Sequence, residues 1–196
     1  MGKGIERKLP VVVIVHGKSE LKICQNIASH LKMPQEVCSR VNGKSSIQVA
    51  GLMSVLNSVP FKSKSAFKQQ YPLAFEKGYS LHDAFKIFPI MDVDDCTEQQ
   101  KKDYKSGSLF KQHWLSDYIV PIWNDPHLEK TMKDCGILIT DKKQYEKKFP
   151  IVKKGSANPE NVREFLMLLK KCKQSNMDTY VEFCLKHWAE NLKQRH

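Results

Sequence analysis

The sequence predicts an α/β fold: a compact Rossmann-like domain with a mostly parallel sheet of about four strands flanked by helices, closed by a C-terminal helical hairpin. Three observations predict it. Val11–Val15 is an unbroken β-branched run, as expected of a strand covered on both faces. His16-Gly17 then turns directly into residues with helical spacing, the first half of a βαβ unit. Finally, the apolar run Lys86-Ile87-Phe88-Pro89-Ile90-Met91 ends abruptly in Asp92, Asp94 and Asp95. Polar residues at the carboxyl ends of parallel strands are where open sheets build their sites.

Taken in order, residues 1–10 read as a flexible basic arm, residues 11–150 as the α/β domain and residues 151–196 as a helical extension. After the first strand, Leu21, Cys24, Ile27, Ala28 and Leu31 recur at helical spacing, with Ser19 as the expected N-cap and Pro34 as the stop. Ser46–Ala50 reads as a short half-buried strand that Gly51 breaks, and Leu52, Val55, Leu56 and Val59 open a helix that ends before Pro60. Past the acidic strand, Thr97–Tyr104 is a polar helix and Leu109–Trp123 a core-facing one, followed by a short helix over Leu128–Lys133. Gly136–Thr140 reads as another buried strand ending on a carboxylate, Asp141. Two amphipathic stripes complete the chain. Val162, Phe165, Leu166, Leu169 and Cys172 mark one helix; Val181, Cys184, Leu185, Trp188 and Leu192 mark the other, with Asp178 as its cap.

Composition narrows the function classes. The chain has 196 residues, 41% hydrophobic and 27% charged, enough for one well-cored unit. Lys and Arg number 32 against 21 Asp and Glu, a formal charge of +11 that suits a polyanionic partner such as nucleic acid. A lysine-rich surface kept soluble by charge gives the same balance. No run approaches the roughly 20 apolar residues of a membrane span, and the N-terminus has no signal-peptide core, so a cytoplasmic, non-membrane protein is expected. Six cysteines without C-x-x-C spacing point to reduced, packed thiols.

The candidate site gathers the strand ends. Alternation along a strand directs Asp92 and Asp94 to one face, and a divalent cation is the commonest reason to keep two carboxylates together. His16, Gly17 and Glu20 lie at the end of the first strand, and Asp95 at the start of the next helix. As an alternative, Asp94 or Asp95 caps that helix, which leaves Asp92 unexplained. The stretch from Phe61 to Tyr79 interleaves Lys62, Lys64 and Lys68 with Phe61, Phe67, Tyr71 and Phe75. Rings and cations in that pattern suit single-stranded nucleic acid, and equally suit aromatic anchors in the core. Gly17-Lys18-Ser19 and Gly43-Lys44-Ser45 lack the earlier glycine of a P-loop.

Val12-Val13-Ile14-Val15-His16-Gly17-Lys18-Ser19-Glu20, Val49-Ala50-Gly51-Leu52 and Met91-Asp92-Val93-Asp94-Asp95, in that order, resemble the motifs of the TOPRIM domain of topoisomerases, primases and nucleases. The resemblance spans roughly residues 11–141. It implies a Rossmann-like TOPRIM fold and metal-dependent phosphodiester chemistry on DNA or RNA, most simply that of a small nuclease. Asp92 and Asp94 would then hold Mg²⁺ or Mn²⁺, with Asp95 beside them. Glu20 would be a further ligand or water-positioning group, and Gly17 and Lys18 would meet a phosphate. His16 stands where the family has a glutamate. Three readings follow: an altered active site using His16 as base or ligand, a degenerate binding or regulatory domain, or a glutamate role transferred to Glu20. The C-terminal helices would cover the sheet, a protein partner or a second copy.

Overall fold

The computed structural model describes residues 8–76, 80–137 and 158–193. Four strands, β1 (Val11–Val15), β2 (Glu36–Cys38), β3 (Lys86–Asp92) and β4 (Ile122–Asn124), form one sheet in the order β2-β1-β3-β4. All three pairings are parallel. Along the central pair, Val11 opposes Lys86 and Val15 opposes Ile90, so both strands finish at the same edge of the sheet.

Helices cover both faces, as parallel strands require. On one face, α1 (Lys18–Leu31), α5 (Leu128–Asp134), α6 (Pro159–Leu169) and α7 (Met177–Lys193) pack on Val11, Val13, Val15, Phe88 and Ile90. On the other, α2 (Val49–Leu56), α3 (Lys64–Gln70) and α4 (Glu98–Lys105) pack on Val12, Ile14, Ile87 and Met91. The C-terminal stripes, with Val162, Phe165, Leu169, Val181 and Cys184 fully or nearly buried, are spent on this core. No helix among the described residues is long and apolar enough to cross a membrane.

The α/β class, the parallel sheet and the C-terminal helical pair agree with the sequence reading, while several elements differ from it. Ser46–Ala50 is not a strand: Val49 begins α2, Gly51 lies inside that helix, and β2 forms earlier, at Glu36–Cys38. The apolar spacing of Val49, Leu52 and Leu56 extends helical periodicity back across the glycine, and all three are buried. Leu109–Trp123 is not one helix but 3₁₀ turns at Ser108–Phe110 and Ser116–Tyr118 followed by β4, with Pro121, which cannot donate to a helix, just before the strand. The expected strand over Gly136–Thr140, with Asp141, falls largely outside the described residues; the fourth strand is β4. The caps also shift. Gly17 precedes α1 rather than Ser19, and Thr97, in a reciprocal box with Gln100, caps α4. Neither Asp94 nor Asp95 does so.

Pro89 stands in a central strand and has no N–H for the β3–β4 ladder. The fully buried Tyr104 of α4 lies against the same pair of strands, its hydroxyl 2.8 Å from both the Pro89 and Ile122 carbonyl oxygens. Tyr104→Phe keeps the ring and deletes that donor. It is expected to cost about 1–2 kcal/mol, or roughly 2 to 4 °C of melting temperature per kcal/mol at this chain length. A melting curve unchanged from wild type would show that the hydroxyl does not bridge the strands.

Candidate functional site

Each residue of the site is placed by a strand end. His16 follows β1 directly; its N–H donates to Ile90 O at 2.9 Å and its carbonyl accepts from Ile47 N–H at 2.9 Å. The backbone at the end of β1 is thus held on both sides. Gly17 then starts the turn into α1, and Glu20, in the first turn of the helix, reaches back so that its Oε2 accepts the Gly17 N–H at 2.9 Å. A carboxylate in a helix's first turn also answers the unpaired amides there. The loop after β2 leans on the same turn. Gly43 has φ +78°, and a Cβ there would come 2.9 Å from Lys18 Cα, so only glycine fits.

Asp92 closes β3. It is in register with Asn124 of β4, and cross-strand neighbours share a face. Asn124 Nδ2 donates to Asp92 Oδ1 at 3.2 Å, and the Leu128 N–H at the start of α5 donates to the same oxygen at 3.0 Å. Asp92 Oδ2 is turned toward His16, whose Nε2 lies 4.0 Å away, too far for a hydrogen bond. The other ring nitrogen, His16 Nδ1, is buried without a hydrogen-bond partner.

Glu20 is 3% exposed and Asp92 7%. Burial drives both carboxyl groups upward, because taking a charge out of water favours the neutral acid. Glu20 is pushed up to about 8, by burial first and then by the charge of Asp92; Glu129 adds to the repulsion and the Gly17 amide opposes it. Asp92 is pushed up to about 6 by burial, against the opposing influence of His16, Asn124 and the Leu128 amide. The strand ends therefore confine two acids that repel one another in a poorly hydrated place.

Other predicted residues lie elsewhere. Asp94 and Asp95 follow β3 on an exposed turn, with the Cys96 thiol 3.7 Å from Asp95 Oδ1. Lys64 and Lys68 belong to α3, on the opposite face of the sheet from α1 and Glu20, and exposed Lys62 precedes that helix. Their aromatic neighbours Phe61, Phe67 and Tyr71 are buried against one another, with ring centroids 4.9 to 6.4 Å apart, so they anchor the core rather than offer stacking surfaces. Two participants were not singled out in the sequence. Asn124 ends a strand of only three residues, too short for a periodic signal. Glu129, in the first turn of α5, acts electrostatically on both Glu20 and Asp92 and has its Oε2 3.2 Å from His127 Nδ1.

The donor chemistry fits a hard divalent cation held by two carboxylates, with water and phosphate oxygens filling the remaining positions. Among the described residues, no three His, Cys, Asp or Glu side chains are grouped so as to hold a metal by themselves. Asp92 Oδ2 and Glu20 are the oxygens such a cation would use.

A raised carboxyl group binds its proton more tightly in the folded chain than in the unfolded one. Its contribution to stability is therefore complete below the unfolded value, near 4.5 for Glu20, and is lost as pH rises through about 8. Glu20→Gln removes that loss. In chelator, wild type should melt several degrees below Glu20→Gln at pH 9, with the gap closing toward pH 5; a pH-independent difference would contradict the buried-acid assignment.

Compared with known proteins, the chain matches no family model, and no curated protein or solved structure matches it significantly.

Proposed function

We propose that this protein performs divalent-metal-dependent phosphodiester hydrolysis on nucleic acid, as a small nuclease with a TOPRIM-like site. The observation that carries the reading is the pairing of Glu20 with Asp92, two buried acids raised by burial at the carboxyl edge of a parallel sheet. A like-charged pair of this kind is relieved by a cation. The formal charge of +11 supports a polyanionic substrate, DNA or RNA.

Bound Mg²⁺ or Mn²⁺ would polarise the phosphate and make a nearby water more acidic. The chain supplies the rest. Asp92 offers Oδ2 while Oδ1 is occupied by Asn124 and Leu128. Glu20 is held through Oε2 by the Gly17 N–H, which leaves lone pairs on the carboxylate to face a cation or a water. His16, beside Asp92, is placed to take a proton from that water. Lys18, in the first turn of α1, is on the side from which a phosphate would approach the helix N-terminus. Asp94, exposed beyond β3, is available to a second, more loosely held ion.

A second reading has a specific observation in its favour. His16 takes the place of the family's glutamate, and no third donor among the described residues completes a metal-holding group. A degenerate nucleic-acid-binding or regulatory subunit would have this arrangement.

Cleavage decides between them. Purified protein should nick or degrade DNA or RNA with Mn²⁺ or Mg²⁺, and Asp92→Ala and Glu20→Ala should each leave below about 1% of that rate. Absence of cleavage across substrates and metals, with salt-sensitive binding retained, would establish the binding reading instead. His16→Glu adds a third acid against Asp92. Its melting temperature in chelator should fall several degrees below wild type and recover on adding Mg²⁺; no recovery would count against a cation between these side chains.

A further inference from the structure

The loop between α6 and α7 docks on the open edge of β4. The Asp125 N–H donates to Gln174 O at 2.7 Å, the Trp123 N–H donates to Asn176 Oδ1 at 2.8 Å, and Asn176 Nδ2 donates to Pro121 O at 3.0 Å. Between these contacts, Ser175 faces Asn124 in an antiparallel bridge. Its hydroxyl donates to Asn124 Oδ1 at 3.0 Å and accepts the Met177 N–H at 3.0 Å. Asn124 is fully buried and Ser175 nearly so.

The direction of every bond in this chain is fixed. Asp92 Oδ1, which already takes the Leu128 N–H, meets the Asn124 amide as an acceptor, so Asn124 presents Nδ2 to it and turns Oδ1 toward Ser175. The Ser175 hydroxyl then donates to that Oδ1 while its Oγ accepts the Met177 N–H. A carboxylate oxygen has two lone pairs, and Asp92 Oδ1 spends them on Asn124 Nδ2 and the Leu128 N–H. Oδ1 is thereby saturated, and Oδ2, on the His16 side, is the one oxygen of Asp92 left for a ligand.

We infer that Ser175 and Asn124 are positioning residues that fix Asp92 as a single-oxygen donor, making the loop between the C-terminal helices part of the site. This rests on the cation reading above and extends it: partners behind a ligand set its orientation and basicity, and their loss typically weakens metal binding about 10- to 100-fold. The same loop holds the sheet edge through Asn176, which makes no contact with Asp92, and this separates positioning from packing.

The test is calorimetric titration of Mn²⁺ into the full chain, with melting temperature measured in parallel. Ser175→Ala and Asn124→Leu should weaken Mn²⁺ binding about 10-fold or more. Asn176→Ala should lower the melting temperature yet keep wild-type affinity. Should Asn124→Leu fail to fold, Ser175→Ala, which removes only a hydroxyl, still reads the relay. Wild-type affinity in Ser175→Ala, or an equal loss in Asn176→Ala, would overturn the positioning role while leaving the cation in place. A wild-type protein that takes up no Mn²⁺ would overturn both, and the wild-type titration distinguishes the two failures.

Discussion

The parallel register of β1 with β3 is the constraint on which the rest of the molecule depends. With Val15 opposite Ile90, His16 and Asp92 must emerge at the same edge, and the helix that starts two residues after His16 brings Glu20 beside them. The backbone bond from His16 N–H to Ile90 O extends that register one residue past the strand. A shift by a single position would send Asp92 to the aromatic face and bury Met91 among the acids.

From this register follows the division of labour between the two faces. The α1 face carries the C-terminal helices as well as the site, so α6 and α7 bury their stripes on the same layer that positions Glu20 and Asp92. The other face is a cluster of rings around Phe67, with Phe85 and Trp114 at 5.8 and 5.7 Å between centroids. Phe61, Phe67, Tyr71 and Phe75, the rings whose sequence pattern suits base stacking, are packed into that cluster. Attraction to a polyanion, on this account, comes from the net charge and not from exposed rings.

Much of this was legible in the sequence because it is carried by strong local patterns. The β-branched run Val11–Val15, the glycine turn and the acids after Ile90 announce a parallel sheet and the edge where its chemistry sits. Helical spacing found α1, α5 and both C-terminal helices. What escaped was set by tertiary contact. Three-residue strands such as β2 and β4 have no period to detect, and β4 hid within an aromatic stretch whose helical look Pro121 and two 3₁₀ turns undo. The acids at the end of β3 look alike on paper, but Asp92 is the last residue of the strand and buried, while Asp94, two residues on, lies on an exposed turn. Asn124 and Ser175 are distant in sequence and meet only because the α6–α7 loop closes the sheet edge.

The cation site proposed at Glu20 and Asp92 can be observed directly. Its most direct measurement is a crystal structure of the protein soaked in Mn²⁺, with data collected at the manganese absorption edge. An anomalous peak is expected between Asp92 Oδ2 and Glu20, coordinated by both. A peak only on the exposed Asp94–Asp95 turn, or none at Mn²⁺ concentrations that saturate binding in solution, would contradict it.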